Sequence, residues 1–168
     1  MPFSIALAGK GGTGKTTLLE KLIAEMKQRG FRVAAIKHDA HRFNIDHEGK
    51  DSWRLTAAGA DTMLVTSPEK LAMVKQYVKE DEPSLTESVA TYCSDVDIVL
   101  TEGFKKSTMP KIEVHRRERS ERLLCRDEEH DPTLIAVASD SPMEIDVPLY
   151  DINDSQGICD LIVERFLL

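Results

Sequence analysis

Short apolar runs alternate with helical stripes along the first part of the chain. Phe3 to Ala8 is an apolar run that ends at Gly9, which is typical of a buried strand. After Thr16 the apolar residues recur at the spacing of an amphipathic helix: Leu18, Leu19, Leu22, Ile23 and Met26. Gly30 is placed to end this helix, and Arg32 to Lys37 has the pattern of a second strand. This order predicts a right-handed parallel crossover and therefore an α/β fold.

The rest of the chain continues this alternation. We predict helices over Asp51 to Ala58, from a Ser84 cap to about Ser94, and from Asp154 or Ser155 onward. The strand candidates are Thr62 to Thr66, Leu71 to Val78 at an edge, Val96 to Thr101, Lys111 to Val114, and Leu134 to Ala138. The charged insert, Arg116 to Asp131, predicts an exposed loop or helical turn. No repeat or linker separates a second domain, so we expect one domain over residues 1–168.

Charge and composition narrow the class of protein. The chain carries 22 basic and 29 acidic side chains, for a formal net charge of −7, so we expect neither nucleic acid nor membrane as a partner. Its three cysteines, Cys93, Cys125 and Cys159, never form a Cys-x-x-Cys pair, which favours packed thiols in a reducing compartment. We find no signal-peptide pattern and no apolar run of the ~20 residues that a membrane helix needs. We therefore expect a cytoplasmic location.

The first loop carries the phosphate-binding motif G-x-x-x-x-G-K-[ST], between a predicted strand and a predicted helix. The predicted nucleotide contacts here are Gly9, Lys10, Gly11, Gly12, Thr13, Gly14, Lys15, Thr16 and Thr17. Backbone N–H groups surround the β-phosphate, Lys15 reaches the β- and γ-phosphates, and Thr16 ligates Mg²⁺. A glycine-rich turn without ligand is the disfavoured alternative. The fold prediction is therefore a P-loop NTPase, with a three-layer, doubly wound, mostly parallel sheet that has room for an antiparallel edge or hairpin.

Lys10 is a second lysine inside this loop. It is similar to the signature lysine of deviant P-loops in dimeric ATPases, which reaches the partner subunit's nucleotide. The alternative, which we favour, is an exposed lysine near an anion.

The strand candidate Val96 to Thr101 ends next to an acidic residue and resembles a Walker B motif. Val96 to Thr101 is followed by Glu102 and Gly103, although Asp97 interrupts the apolar run and the terminal acid is Glu rather than Asp. Beside the P-loop, Glu102 could hold a magnesium-bound water or orient the attacking water. A solvated acid after a core strand is the alternative.

The loop after the second strand collects ionisable side chains: His38, Asp39, His41, Asp46 and His47. In P-loop GTPases this region meets the γ-phosphate and magnesium, so Asp39 is a candidate sensor of either. A transition-metal site is disfavoured, because the loop lacks cysteine and offers no helical spacing to fix the ligands.

Five arginines lie in the charged insert: Arg116, Arg117, Arg119, Arg122 and Arg126. They could form an arginine lid like that of small-molecule kinases. Because they are interleaved with Glu118, Glu121, Asp127 and Glu128, we favour a self-neutralised surface.

Together these stretches make the chain closely resemble the MobB family, P-loop proteins associated with molybdopterin guanine dinucleotide synthesis. The resemblance covers most of the chain. Besides the P-loop it is carried by Ile36 to Asp39, Asp46 to Ser52, Ala58 to Asp61, Thr101 to Lys105, Pro110 to Glu113, Ala136 to Asp140 and Asp151 to Asp154.

The resemblance implies GTP binding with Mg²⁺, weak GTP hydrolysis, and assistance to the guanylyltransferase MobA. It also implies a homodimer, and molybdopterin is a further candidate ligand. Lys15 and Glu102 are then the catalytic candidates, with Thr16 and Glu102 at Mg²⁺ and Asp39 with Asp46 to Ser52 bordering the nucleotide. Ser139 and Asp140 line the base pocket. The sequence lacks an Asn-Lys-x-Asp motif, so the preference for guanine rests on the resemblance.

Two other functions compete with this hypothesis. A small-molecule kinase would use the arginines of the insert as a lid over the phosphates. A metal-insertion GTPase would use His38, His41 and His47 as ligands.

Overall fold

The computed structural model describes residues 1–38, 43–77, 83–104, 107–127 and 130–168. The strands are β1 (Phe3–Ala8), β2 (Val33–Lys37), β3 (Thr62–Thr66), β4 (Leu71–Lys75), β5 (Ile98–Glu102), β6 (Lys111–His115), β7 (Leu134–Ser139) and β8 (Leu149–Asp151). The helices are α1 (Lys15–Gln28), α2 (Asp51–Ala57), α3 (Leu85–Tyr92) and α4 (Ser155–Phe166).

The chain divides into two compact units. The larger one comprises Met1–His38 and Ser88–Leu168, and the smaller one comprises Asp39–Glu87. The expectation of one domain over residues 1–168 stays a prediction.

The larger unit is built on a six-stranded sheet in the order β2-β5-β1-β6-β7-β8. Every neighbouring pair in it is parallel. The carboxyl ends of all six strands therefore meet at one edge, which is where ligands of open α/β sheets bind. In register, Leu7 of β1 lies beside Glu102 of β5, and Ala8 lies beside Glu113 of β6.

Both faces of this sheet are packed. Successive side chains of a strand point to opposite faces. Leu7 accordingly belongs to a cluster that includes Leu22 of α1 and Ile162 of α4, whereas its neighbour Ala8 packs with Leu123 of the charged insert. Burying such an aliphatic side chain contributes about 1.5–3 kcal/mol. The layers on the two faces confirm the predicted three-layer α/β fold.

The smaller unit contains an antiparallel hairpin of β3 and β4, in which Leu64 pairs with Met73. This confirms the antiparallel hairpin that the fold prediction allowed. None of the described helices is long and apolar enough to cross a membrane.

Several element boundaries differ from those predicted. Strand β5 begins at Ile98 rather than Val96, because the carboxylate of Asp97 accepts hydrogen bonds from the backbone N–H and guanidinium of Arg32. Helix α3 ends at Tyr92 rather than near Ser94. Strand β4 ends at Lys75, and Val78, the predicted end of that strand, lies outside the described residues.

Two further differences concern the second half of the chain. The three-residue strand β8 was not predicted at all. The charged insert is not simply an exposed loop, because Leu123 and Cys125 are buried. Cys93, Cys125 and Cys159 are all buried free thiols, as predicted, and burial raises the pKa of Cys125 to about 12.

Candidate functional site

The glycine-rich loop joins β1 to α1 at the carboxyl edge of the sheet. A Cβ on Gly9 would clash with the backbone carbonyl of Val114 on β6, so only glycine lets the loop leave β1 here. Gly14 is the N-cap of α1 with a φ of 97°, a conformation that side-chain-bearing residues rarely adopt. The loop therefore delivers the amino end of α1 to the sheet edge, with the positive end of its dipole toward an incoming anion.

Polar side chains close this loop on itself. The Lys15 ammonium donates to the carbonyl oxygen of Lys10 at 2.9 Å, and the Thr13 hydroxyl donates to the same oxygen at 3.0 Å. The Lys15 ammonium thus lies across the loop in which phosphates are expected. The side chain of Lys10 is exposed, and its predicted nucleotide contact stays a prediction.

Glu102 lies beside the start of α1. The hydroxyl of Thr16 donates to its carboxylate at 2.9 Å. A hydroxyl and a carboxylate are hard oxygen donors of the kind that Mg²⁺ prefers, directly or through water. The two residues predicted from separate motifs therefore come together in an arrangement that fits a magnesium ion.

The turn after β5 contacts the end of β2 through a hydrogen bond and a pair of rings. The His38 N–H donates to the Glu102 carbonyl at 2.8 Å, and the His38 and Phe104 rings lie 4.9 Å apart. A Cβ on Gly103 would lie 2.6 Å from the His38 carbonyl oxygen, so a side chain here would force the strand ends apart. These contacts hold the backbone at the end of β5, from which the Glu102 side chain extends.

The predicted loop ligands do not form a described cluster. Asp39 and His41 lie outside the described residues, and Asp46 and His47 belong to the smaller unit. Within residues 1–38, 43–77, 83–104, 107–127 and 130–168, no three His, Cys, Asp or Glu side chains are grouped as a metal site. The role of Asp39 and the metal-insertion alternative stay predictions.

A second candidate subsite follows β7. The carboxylate of Asp140 accepts from the Arg117 N–H at 3.1 Å and lies 3.6 Å from the Arg116 guanidinium. An open cleft of about 250 Å³ lies here, lined by Ser139, Asp140, Ser141, Pro142, Leu149, Tyr150 and Asp151. The hydroxyl of Ser139 is buried and bonded to the His115 ring, so it anchors the strand end. Asp140 is exposed at this cleft, and the base contacts predicted for Ser139 and Asp140 stay predictions.

Two arginines of the charged insert lie at the P-loop. Arg116 donates to the carbonyl of Thr13 at 3.1 Å, and Arg119 lies against Gly12. Arg122 pairs with Asp127 of the insert at 3.3 Å, and Arg126 pairs with Asp146 beyond the insert at 2.9 Å. The self-neutralised surface is thus confirmed for Arg119 and Arg122, which pair with Glu118 and Asp127 of the insert. It is wrong for Arg116, whose guanidinium bonds the P-loop, and for Arg126, whose partner lies outside the insert. Arg116 reaches the P-loop because the insert follows β6, and β6 pairs with β1, which leads into the P-loop.

A row of buried polar side chains on β6 anchors the insert. The Glu113 carboxylate accepts from the N–H groups of Leu124 and Cys125 at 2.6 Å and 2.9 Å. The His115 Nε2 contacts the Ser120 carbonyl oxygen at 2.9 Å. Because these groups alternate with apolar residues that face the helices, β6 carries a polar face that the insert covers.

Lys111 occupies the start of this row. Its buried ammonium pairs with Asp131 at 3.0 Å and also donates to Thr133. Burial raises the pKa of Asp131, but hydrogen bonds from Thr133 and Lys111 outweigh burial and lower it below its ordinary value. The ion pair therefore ties the end of the insert to the sheet.

Comparison with known proteins places these features in one family. Residues 4–140 match the family model of MobB, described as molybdopterin guanine dinucleotide synthesis protein B. The molybdopterin-guanine dinucleotide biosynthesis adapter protein of Haemophilus influenzae is 41% identical over 160 residues, which cover 94% of this chain and 86% of the relative. The adapter protein of Escherichia coli is 41% identical over 164 residues, which cover 95% and 91%.

Solved structures agree with this match. A crystal structure of a molybdopterin-guanine biosynthesis protein B superposes with a TM-score of 0.76 at 27% identity, covering 99% of this chain and all of the other. Bacillus subtilis MobB superposes with the same TM-score at 25% identity, covering 99% and 98%. These matches extend over both described units of the chain.

Proposed function

This chain belongs to the MobB family, and from that premise we propose that it is a GTP-binding accessory protein in molybdenum cofactor biosynthesis. It hydrolyses GTP weakly and assists a MobA-type guanylyltransferase that makes molybdopterin guanine dinucleotide. The observation that carries the proposal is the 2.9 Å hydrogen bond between Thr16 and Glu102, which joins the P-loop to the acidic strand end. The adapter names of the two 41% identical relatives support the accessory role.

The P-loop holds the phosphates in this proposal. Backbone N–H groups from Gly11 to Thr17 surround them, and Lys15 exchanges its bond to the Lys10 carbonyl for bonds to phosphate oxygens. Thr16 and Glu102 would hold Mg²⁺, which neutralises phosphate charge when it is bound. Glu102 also accepts a hydrogen bond from the attacking water, which makes it and Lys15 the residues that act on the reaction.

Asp140 selects the base. The N1–H and the exocyclic amino group of guanine are two neighbouring donors, and a carboxylate accepts from both, whereas adenine offers no such pair. Asp140 borders the cleft after β7, at the same sheet edge as the P-loop. The contacts from Arg116 and Arg117 hold its carboxylate in position for this task.

In this accessory role, the partner responds to whether GTP or GDP is bound to this chain, and the bound GTP is not itself the substrate from which the product is made. A homodimer, a cytoplasmic location and contact with molybdopterin complete the proposal.

The proposal is tested by adding the protein to a MobA-type guanylyltransferase with molybdopterin and GTP. Wild-type protein should raise the yield of molybdopterin guanine dinucleotide, and the Lys15→Ala variant should not. An Arg122→Ala variant, whose side chain is exposed and paired with Asp127, is the matched control and should act like wild type. Equal yields with and without the wild-type protein would contradict the accessory role.

A further inference from the structure

Arg119 lies against the P-loop although it belongs to the charged insert. The position that a Cβ on Gly12 would take is 3.4 Å from both Cζ and Nε of Arg119. Gly12 is inside the segment whose backbone N–H groups face phosphate in a P-loop. A guanidinium in contact with this segment is within side-chain reach of whatever anion the loop holds.

The fold holds this arginine in place. Arg116 to Arg119 forms a turn closed by a 2.9 Å hydrogen bond from the Arg119 N–H to the Arg116 carbonyl. The Arg116 guanidinium bonds the Thr13 carbonyl, and the next residue, Ser120, is held by the buried His115. The turn is thus attached to the P-loop on one side and to β6 on the other.

The charge of Arg119 is only weakly compensated. Its ion-pair partner among the described residues is Glu118 at 3.6 Å, and the two side chains are 53% and 66% exposed. Exposed ion pairs of this kind contribute little to stability, so a phosphate can displace Glu118. A guanidinium also forms bidentate hydrogen bonds to phosphate oxygens, which Glu118 at 3.6 Å does not provide.

The part of the P-loop that lies next to Arg119 indicates which phosphate this arginine meets. Helix α1 begins at Lys15, and in a P-loop the backbone N–H groups near the helix start hold the α- and β-phosphates. Gly12 comes three residues earlier, on the part of the loop farther from that helix end. We propose that Arg119 is a nucleotide-binding residue that contacts the terminal phosphate in cis and favours the triphosphate over the diphosphate. This inference rests on the proposed function only in requiring a triphosphate in the loop.

The test compares affinities for GTP and GDP, measured by calorimetry with Mg²⁺ present. The variants are Arg119→Ala, Arg119→Lys and, as a control from the same insert, Arg122→Ala. Arg119→Ala should weaken GTP binding at least tenfold and GDP binding less than threefold. Arg119→Lys should be intermediate for GTP, because it keeps the charge but not the bidentate geometry. Arg122→Ala should stay within twofold of wild type for both nucleotides.

Two results would overturn the inference. One is GTP binding by Arg119→Ala within twofold of wild type. The other is an equal loss of GTP and GDP binding, which would indicate that the arginine only supports the loop. If wild-type protein prefers ATP, the guanine part of the proposed function fails, and the same comparison with ATP and ADP still decides the role of Arg119.

Discussion

The hydroxyl of Thr16 donates a 2.9 Å hydrogen bond to the carboxylate of Glu102, although 86 residues separate them in the chain. The parallel register makes this possible, because Glu102 ends β5 beside Leu7 of β1, just before the P-loop. A carboxylate held against the first helical turn of a P-loop is in position to share a magnesium ion with the hydroxyl.

Replacing Glu102 with Gln should weaken the effect of magnesium. The amide keeps the shape of the side chain but removes the negative charge that attracts the cation. We expect the gain in GTP affinity on adding Mg²⁺ to fall at least tenfold, measured by titration with and without the ion. Glu20→Gln, on the exposed face of α1, is the control and should leave this gain unchanged. An unchanged gain in GTP affinity for the Glu102 variant would show that this carboxylate does not hold Mg²⁺.

Replacing Lys15 with Ala should weaken nucleotide binding without unfolding the protein. Hydrogen bonds to charged groups contribute about 1.5–3 kcal/mol, so we expect GTP affinity to fall by about ten- to a hundredfold. The side chain lies at the start of α1 and bonds a loop carbonyl rather than packing in the core, so thermal melting should stay cooperative. A variant that loses cooperative melting together with binding would identify Lys15 as a structural residue.

Replacing Asp140 with Asn should change base selection. Xanthine carries an oxygen where guanine carries the exocyclic amino group, so an amide that can donate suits xanthine better. We expect the ratio of GTP to XTP affinity to fall at least tenfold, measured by competition for the same site. Asp127→Asn, in the charged insert, is the control and should keep the wild-type ratio. If both variants keep that ratio, Asp140 does not contact the base.

Replacing Lys111 with Met should destabilise the protein in a pH-dependent way. The change leaves the Asp131 carboxylate without the ammonium that it faces at 3.0 Å, which we expect to lower the free energy of unfolding by about 1–3 kcal/mol near neutral pH. The folded-state pKa of Asp131 is lowered, so its contribution is present above its unfolded pKa of about 3.9 and is lost as the pH falls below that value.

The measurement is urea unfolding of both proteins between pH 7 and pH 3. The difference between them should shrink toward the acid end. Lys70→Met, at an exposed position in the smaller unit, is the control and should change the free energy of unfolding little at any pH. A difference that stays constant with pH would show that the loss comes from packing rather than from the ion pair.

The sequence predicted the parts of this molecule that local patterns encode. The glycine spacing from Gly9 to Thr16 and the apolar run ending at Glu102 have strong local signals, and each motif lies where the strand and helix pattern placed it. The strands β3 and β4 were predicted from their own patterns, whereas the fold prediction only left room for their pairing as an antiparallel hairpin. Strand β8 escaped prediction because three residues, Leu149 to Asp151, are too few to show an alternation.

The placement of the charged insert could not be predicted in the same way. Its alternating charges are typical of a solvated surface, and only the strand order brings β6 beside β1 and Arg116 to the P-loop. The burial of polar residues on β6 could not be predicted either. The Glu113 carboxylate is buried because backbone N–H groups of the insert donate hydrogen bonds to it. Both features depend on tertiary contacts that the local sequence pattern does not encode.

Every role proposed above for this chain requires that its P-loop binds GTP with magnesium. Calorimetric titration of the wild-type protein with GTP and ATP, each with and without Mg²⁺, measures this binding. We predict at least tenfold tighter binding of GTP than of ATP, and tighter GTP binding when Mg²⁺ is present. Tighter binding of ATP than of GTP, or a GTP affinity that does not change when Mg²⁺ is added, would show that the P-loop does not bind GTP with magnesium.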